Sequence, residues 1–501
     1  MELKALKKII DLTEQYKGDY IGPLERYFID TKFPKLTLFL KLLKDGKAKT
    51  DDEMAFLLSF STAFTSEYKK LKDEASVRIS HLLFFIDSRK VPKSQMWKSY
   101  IPGLKKVVAA ELIFYMGLDS APIELAKSGY EQMETVRFSE KKILALCNLT
   151  RYAGNAHSYE NFKKYAQVTL NTIDLARLEI EGEICKMELN FISGKSAGEK
   201  FKHIKKAKKY IHRLKKIFEL TKSESAFHNY TETCINYNYS IKNYLEIIKI
   251  TKEADAWYQM KQKLTPKPML AYMATHRLFS KAFLRDFENT SDDLKLCLEI
   301  YNENSKDWSN FLEIFFLHNM FSGNYTKAMD VYYKFLKSSV YDVLPPDIKE
   351  RWKYFEPYLN FVIGDEFIKQ NMDLLSFLNE ISYYTEHKSD NNIPILIAQV
   401  IAMIDMGDFK KLADRTNYLE NYINKYVDRK NFARTFIFMR MLLRLFKNNF
   451  NADKTEKQCL KQFSKIEFAP GNKLNTCDEL EVIPYDILWG LILERIKAKL
   501  S

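Results

Sequence analysis

The sequence predicts an all-α protein built from antiparallel helix hairpins, and three observations lead there. The 501-residue chain holds only 15 Gly and 13 Pro, too few turn residues to serve a many-stranded β fold. No proline occurs from Ile123 to Thr265 and no glycine from Glu199 to Ser322, so long helices are the simplest occupants of those stretches. Apolar residues recur at spacings of three and four on either side of short polar turns, most clearly from Asn310 to Lys337. There Phe311, Ile314, Phe315 and His318 form one helical row, and Tyr325, Ala328, Met329, Tyr332 and Phe335 form another. Between them, Gly323 can end the first helix in the left-handed region and Asn324 can cap the second. So short a link makes the pair antiparallel.

The run Gly-Asn-Tyr-x-x-Ala-Met-x-x-Tyr-x-x-Phe-Leu, from Gly323 to Leu336, resembles the second half of a tetratricopeptide (TPR) repeat. The resemblance implies that Ala328 sits where the two helices approach most closely and that Tyr325 fills the gap around the turn. For the chain it implies a right-handed superhelical array of antiparallel helix hairpins, a TPR-like α-solenoid. Phe316 and Phe335 stand where the family usually has small residues. The repeat-packing positions are then Gly323, Tyr325, Ala328 and Tyr332, with Gly407 and Phe409 in a second copy that follows the apolar helix Ile393 to Met406. Gly364-Asp-Glu-Phe367 lies between the two copies. The three glycines are 41 and 43 residues apart, longer than the family's period of about 34, which predicts a divergent array of about 20 to 26 helices.

In chain order, MELKALKKIIDLTEQY is a charged amphipathic helix without the apolar core of a signal peptide. Asp51-Asp52-Glu53 is a helix start, because carboxylates in a first turn favour the helix dipole. Another helix runs through Ala75 to Ser88, and a third from Lys105 to Met116, ending at Gly117. Tyr152-Ala-Gly154-Asn155 has the composition of a hairpin turn. Tyr159 to Leu178 is a helix with Phe162, Tyr165, Ala166, Thr169, Leu170 and Ile173 on one face, which either continues to Phe191 or restarts near Gly182. Glu199 to Leu220 and Ala226 to Lys252 are two more. Thr265-Pro-Lys-Pro268 is the clearest break, so the expected domains are an N-terminal helical array at 1–265, a TPR-like array at 266–468, and a loop with a capping helix at 469–501. A second break falls at Leu344-Pro-Pro346. Pro484 suits the first turn of the last helix, whose apolar side is Tyr485, Leu488, Trp489 and Ile492.

Six cysteines at wide spacings, none in a CxxC pair, read as reduced and mostly buried thiols. No uncharged stretch approaches the roughly 20 residues that cross a bilayer. The expectation is a soluble, cytoplasmic protein. A net charge of +13 favours acidic partners, although 65 acidic residues are spread among 78 basic ones.

No catalytic constellation emerges. Gly194-Lys195-Ser196 resembles the end of a phosphate-binding loop, but Leu189 stands where such a loop needs glycine. The eight histidines form neither an HExxH pair nor a Cys/His ligand set, and His318, on an apolar helix face, is expected to be a hydrogen-bonded core residue. The expectation is therefore no enzyme, no cofactor and no metal. The preferred function is a protein-interaction scaffold that holds a partner peptide or helix in a solenoid groove. The charge feature above background is the run from Lys195 to Lys216, with ten Lys or Arg against Glu199 alone. Lys202, Lys205, Lys206, Lys209, Arg213 and Lys216 fall largely off its apolar face and are the candidates for an anionic partner. The alternative function is nucleic-acid association through that helix.

Overall fold

The computed structural model describes residues 2–18, 33–90, 95–117, 121–134, 139–193, 197–260, 267–303, 305–344, 346–364, 393–427, 429, 432–469, 474, 476–478 and 480–500. Among these residues the chain forms twenty-three α-helices, two short 3-10 turns and no strand, beyond one isolated bridge between Lys17 and Ile86. Helices adjacent in sequence pack in pairs. Two compact units result, Met1–Lys186 with Arg213–Asn229, and Met187–His212 with Tyr230–Ser501.

The first unit opens with α1 (Leu3–Tyr16), α2 (Pro34–Lys44), α3 (Asp51–Leu57) and α4 (Ser66–Leu82). Leu6, Ile10, Phe39, Leu40, Tyr68 and Ile79 close its core. The expected start at Asp51 is made by a capping box. The Thr50 hydroxyl accepts from the Glu53 amide, and the Glu53 carboxylate accepts from the Thr50 amide. The helix through Lys105 begins earlier than its periodicity suggests, as α5 (Gln95–Tyr115) with Pro102 inside it. It packs on α6 (Ala121–Met133) where Gly103 faces Gly129. A Cβ built on either glycine would sit 2.7 Å from the other's carbonyl oxygen. After α7 (Ile143–Asn155) comes α8 (Tyr159–Ser193), which runs through Gly182 as one 35-residue helix. The hairpin turn expected at Tyr152–Asn155 falls just later, because those residues stay helical and His157 takes the left-handed conformation at φ 52°.

Beyond α9 (Ala197–Thr221), the stretch expected as one helix from Ala226 to Lys252 is two, α10 (Glu224–Ser240) and α11 (Tyr244–Met260). Lys242, at φ 56°, breaks it with neither Gly nor Pro. The same turn recurs through the second unit. In each, the amide of the residue after the left-handed position donates to a carbonyl five residues back: Asn243 to Asn238, Asp286 to Lys281, Asn324 to Asn319 and Asp408 to Met403, all at 2.9 Å, and Phe450 to Leu445 at 3.0 Å. Among the left-handed residues of this unit, Lys242, Arg285, Gly323, Gly364, Gly407 and Asn449, each just past a helix end, are 43, 38, 41, 43 and 42 residues apart, while Asn289 and Phe450 fall outside that series. The hairpins of this unit therefore keep a near-constant period of backbone geometry, carried by four residue types.

Between those turns run α12 (Lys267–Phe283), α13 (Ser291–Ile300), α14 (Lys306–Phe321), α15 (Tyr325–Leu336), α16 (Ser339–Val343) and α17 (Pro346–Ile363). Then come α18 (Ile393–Met406), α19 (Phe409–Asp414), α20 (Thr416–Tyr426), α21 (Ala433–Lys447), α22 (Ala452–Ile466) and α23 (Tyr485–Leu500). Every residue of α18 from Ile393 to Asp405 is buried. Pro484 precedes α23 and accepts from Leu488, while Tyr485, Leu488, Trp489 and Ile492 are all buried as expected. Residues 365–367 and 194–196, which carry the middle repeat motif and the Gly-Lys-Ser triplet, lie outside the described residues, as does the break at 261–266.

Two buried ion clusters tie the second unit together. Arg277 on α12 reaches Asp255 on α11 at 2.5 Å and Asp293 on α13 at 2.6 Å. Arg434 on α21 donates to Glu481, to Asp486, and to the carbonyls of Ile466 and Leu474. Glu481 also accepts from the amides of Asp478 and Tyr485. Removing one member of so dry a cluster strands a charge, at a cost of about 3 to 5 kcal/mol.

Candidate functional site

Ala328 is fully buried in the α14–α15 hairpin, and Tyr332 is buried with its hydroxyl 3.2 Å from the Glu356 carboxylate. Gly323 and Gly407 adopt φ 76° and 75°, so both end their helices in the left-handed region as expected. Tyr325 and Phe409 are half-buried at the starts of α15 and α19, and the Phe409 ring lies 4.9 Å from that of Phe450. Asn324 does not cap α15 with its side chain, whose amide turns back to the Ser322 hydroxyl at 3.1 Å. The large residues at 316 and 335 pack on Trp352 of α17. Phe335 stacks on it at 3.9 Å and Phe316 lies 5.8 Å away. Of these hairpin residues, Phe316, Ala328, Tyr332 and Phe335 are buried in the packing, whereas Gly323 is exposed.

On α9, Ala207 and Leu214 are buried and Lys205, Lys209 and Lys216 are exposed, as the periodicity predicts. Lys208 and Lys215 are exposed as well. Lys202 lies on the helix, but its side chain is outside the described residues. Two of the six candidates are engaged with α8. Arg213 donates to both oxygens of Glu181 at 2.6 and 2.7 Å, and Lys206 and Tyr210 both hydrogen-bond Glu188. The Arg213 hydrogen bond holds the Glu181 carboxyl below the usual carboxylate range, and Lys206 does the same for Glu188. The basic helix is thus partly neutralised by carboxylates about 20 to 30 residues upstream in sequence, a link its own charge pattern does not contain.

A groove that the sequence did not single out lies on α21 and α22. Its volume is ≈ 690 Å³. Phe436, Ile437 and Leu443 make its apolar floor. Arg440, Arg444 and Lys447 recur every three or four residues and so share one face of α21. Asn448, Gln458 and Gln462 add amides. Glu420 on α20 is the carboxylate partnered with these cations, 3.3 Å from Arg440 and 2.6 Å from Lys447. The Lys447 hydrogen bond keeps its carboxyl low. Arg440 also donates to Asn424 at 2.6 Å, and Arg444 to the Gln458 carbonyl at 3.2 Å. The guanidinium groups of Arg429 and Arg440 lie 4.7 and 5.4 Å from the Phe436 ring centre. The cations are held in place by these contacts, and among the described residues they outnumber the carboxylate paired with them. Such an edge beside an apolar floor suits a chain segment that carries both carboxylates and apolar side chains.

His318 is buried, but not as a hydrogen-bonded core histidine. Neither ring nitrogen has a hydrogen-bond partner among the described residues, and the ring packs edge-on to Phe287 at 5.3 Å. The six cysteines stand as thiols, and all but Cys147 are buried. Among the described residues no group of three or more His, Cys, Asp or Glu is placed to hold a metal, and no helix is long and apolar enough to cross a membrane.

No family model, no curated protein and no solved structure matches the chain.

Proposed function

We propose that the chain is a non-catalytic interaction scaffold of the TPR-like, solenoid-forming class, working in the cytoplasm and holding an acidic segment of a partner protein. The observation that carries this reading is the groove on α21 and α22, where an apolar floor runs beside Arg440, Arg444 and Lys447. Guanidinium groups bind carboxylates in a fixed fork, and the floor takes the apolar side chains between them. The regular hairpin period of the second unit supports a repeat array as the frame, and buried thiols suit a reducing compartment. Fluorescence anisotropy with a labelled peptide that alternates Glu or Asp with Leu or Phe tests it. Arg440→Glu with Arg444→Glu weakens binding at least about tenfold while the circular dichroism spectrum at the assay temperature stays that of the intact chain. Equal affinity in the double variant excludes the groove.

A second reading keeps α9 as a nucleic-acid contact through the exposed Lys205, Lys208, Lys209, Lys215 and Lys216. It predicts a salt-dependent gel shift. Charge reversal at Lys205, Lys206, Lys209 and Arg213 abolishes that shift, and an unchanged shift rules the helix out.

A further inference from the structure

Cations reach the groove on α21 and α22 from both helices. On α22, Lys461 and Lys465 are exposed, and they follow the lining residues Gln458 and Gln462 by one helical turn. The acids of that helix lie on its other side, where Asp453 and Glu456 both pair with Lys497 of α23. Among the described residues no carboxylate lines the groove.

The polar lining also consists mainly of donors. Asn448 Nδ2 donates to Gln458 Oε1 at 3.1 Å, which spends the acceptor of that amide and leaves its Nε2 to donate. Arg444 gives Nη1 to the backbone carbonyl of the same Gln458 at 3.2 Å, so its remaining N–H groups are held near that residue. Arg440 differs, because its Nη1 and Nη2 go to Glu420 and Asn424. One carboxylate, Glu420, thus already serves Arg440 and Lys447. A ligand that improves on it brings more charge and more acceptor atoms than a second carboxylate does. A phosphate monoester brings nearly two charges and three strong acceptor oxygens.

We infer that the partner segment carries a phosphorylated side chain. Arg444, Lys447 and Gln458 Nε2 take its phosphate, and the floor of Phe436, Ile437 and Leu443 takes the apolar residues beside it. The inference rests on the reading of this groove as the site of an acidic segment and adds the group that the segment bears.

Three peptides with one alternating Glu-Leu frame test it by fluorescence anisotropy, their central residue being phosphoserine, Glu or Ser. The phosphoserine peptide binds at least about tenfold tighter than the Glu peptide, and inorganic phosphate erodes that preference. Arg444→Lys keeps the charge but loses the fork, and lowers the preference at least about fivefold. Gln458→Glu still accepts from Asn448 but sets a carboxylate against the phosphate, and abolishes the preference. Both variants keep the circular dichroism spectrum of the intact chain at the assay temperature. Phosphoserine and Glu peptides that bind alike overturn the inference and leave the acidic-segment reading standing. If none of the three binds, both fall. A preference that survives Arg444→Lys and Gln458→Glu also overturns the inference, because the phosphate is then held elsewhere.

Discussion

Arg285 and Asp486, 201 residues apart, meet at 2.6 Å, and Arg285 makes that contact from a backbone position that ordinarily favours glycine. Its φ is 54°, and Lys242, at φ 56°, does the same for Asp478 at 2.5 Å. These two turn residues bear the strain of the left-handed region and use their side chains to hold the segment before and at the start of α23. Asp478 and Asp486 are thus held by turns made more than 190 residues earlier.

Substituting glycine at these turns separates the two effects. His157→Gly relieves a strained turn whose side chain is exposed, so stability rises by up to about 1 kcal/mol. Arg285→Gly relieves the same strain but removes the nearer of the two cations on Asp486, leaving Arg434 at 3.4 Å, and stability falls by about 1 kcal/mol or more. Chemical denaturation of each variant reads both signs.

Arg434→Ala leaves Glu481 buried without its cation. A loss of about 3 to 5 kcal/mol is expected in the unfolding of the second unit. Hydrogen exchange at the amides of Asp478 and Tyr485 should rise first, because both donate to the Glu481 carboxylate that this guanidinium holds.

Phe335→Ala restores the small residue that the TPR pattern favours at this position. Here it empties a site stacked on Trp352 at 3.9 Å, so it destabilises by about 3 to 5 kcal/mol. A neutral result in thermal denaturation would mean that α17 does not pack as described.

His318 makes stability pH-dependent. Burial, with Lys327 and Lys281 nearby, lowers its pKa from 6.5 to about 4. Below pH 6.5 the unfolded chain gains a proton that the folded chain refuses. The contribution is therefore complete above about pH 6.5 and is lost as pH falls towards 4, by at most about 1.4 kcal/mol per pH unit. His318→Leu flattens that part of the profile, measured as the difference between the two proteins from pH 7 to pH 4.

How much of this was legible depended on whether the cause lay close in sequence. The all-helical class, the hairpin around Gly323 and the start at Asp51 follow from local periodicity and capping. The turns at His157, Lys242, Arg285 and Asn449 do not, because the strain of a non-glycine residue there is borne by tertiary contacts or by the turn's own hydrogen bonds. A search for glycine therefore found some of the repeating turns and joined α10 to α11. The basic helix was visible as a charge run, but its neutralisation by Glu181 and Glu188 was not. The groove was missed because Arg440, Arg444 and Lys447 gain meaning only once α22 lies beside α21. Of the α8 face grouped by spacing, Thr169 is buried while Leu170 and Ile173 are exposed, since periodicity shows that a face is apolar and not how much of it is covered.

The α21–α22 groove is proposed to hold an acidic partner segment. Quantitative affinity purification from the native host, with the intact chain beside its Arg440→Glu and Arg444→Glu double variant, tests it most directly. The expected result is a reproducible partner, crosslinked at Lys447 through an acidic segment and lost from the variant. Recovery of the same proteins on both, or of none on either, would contradict it.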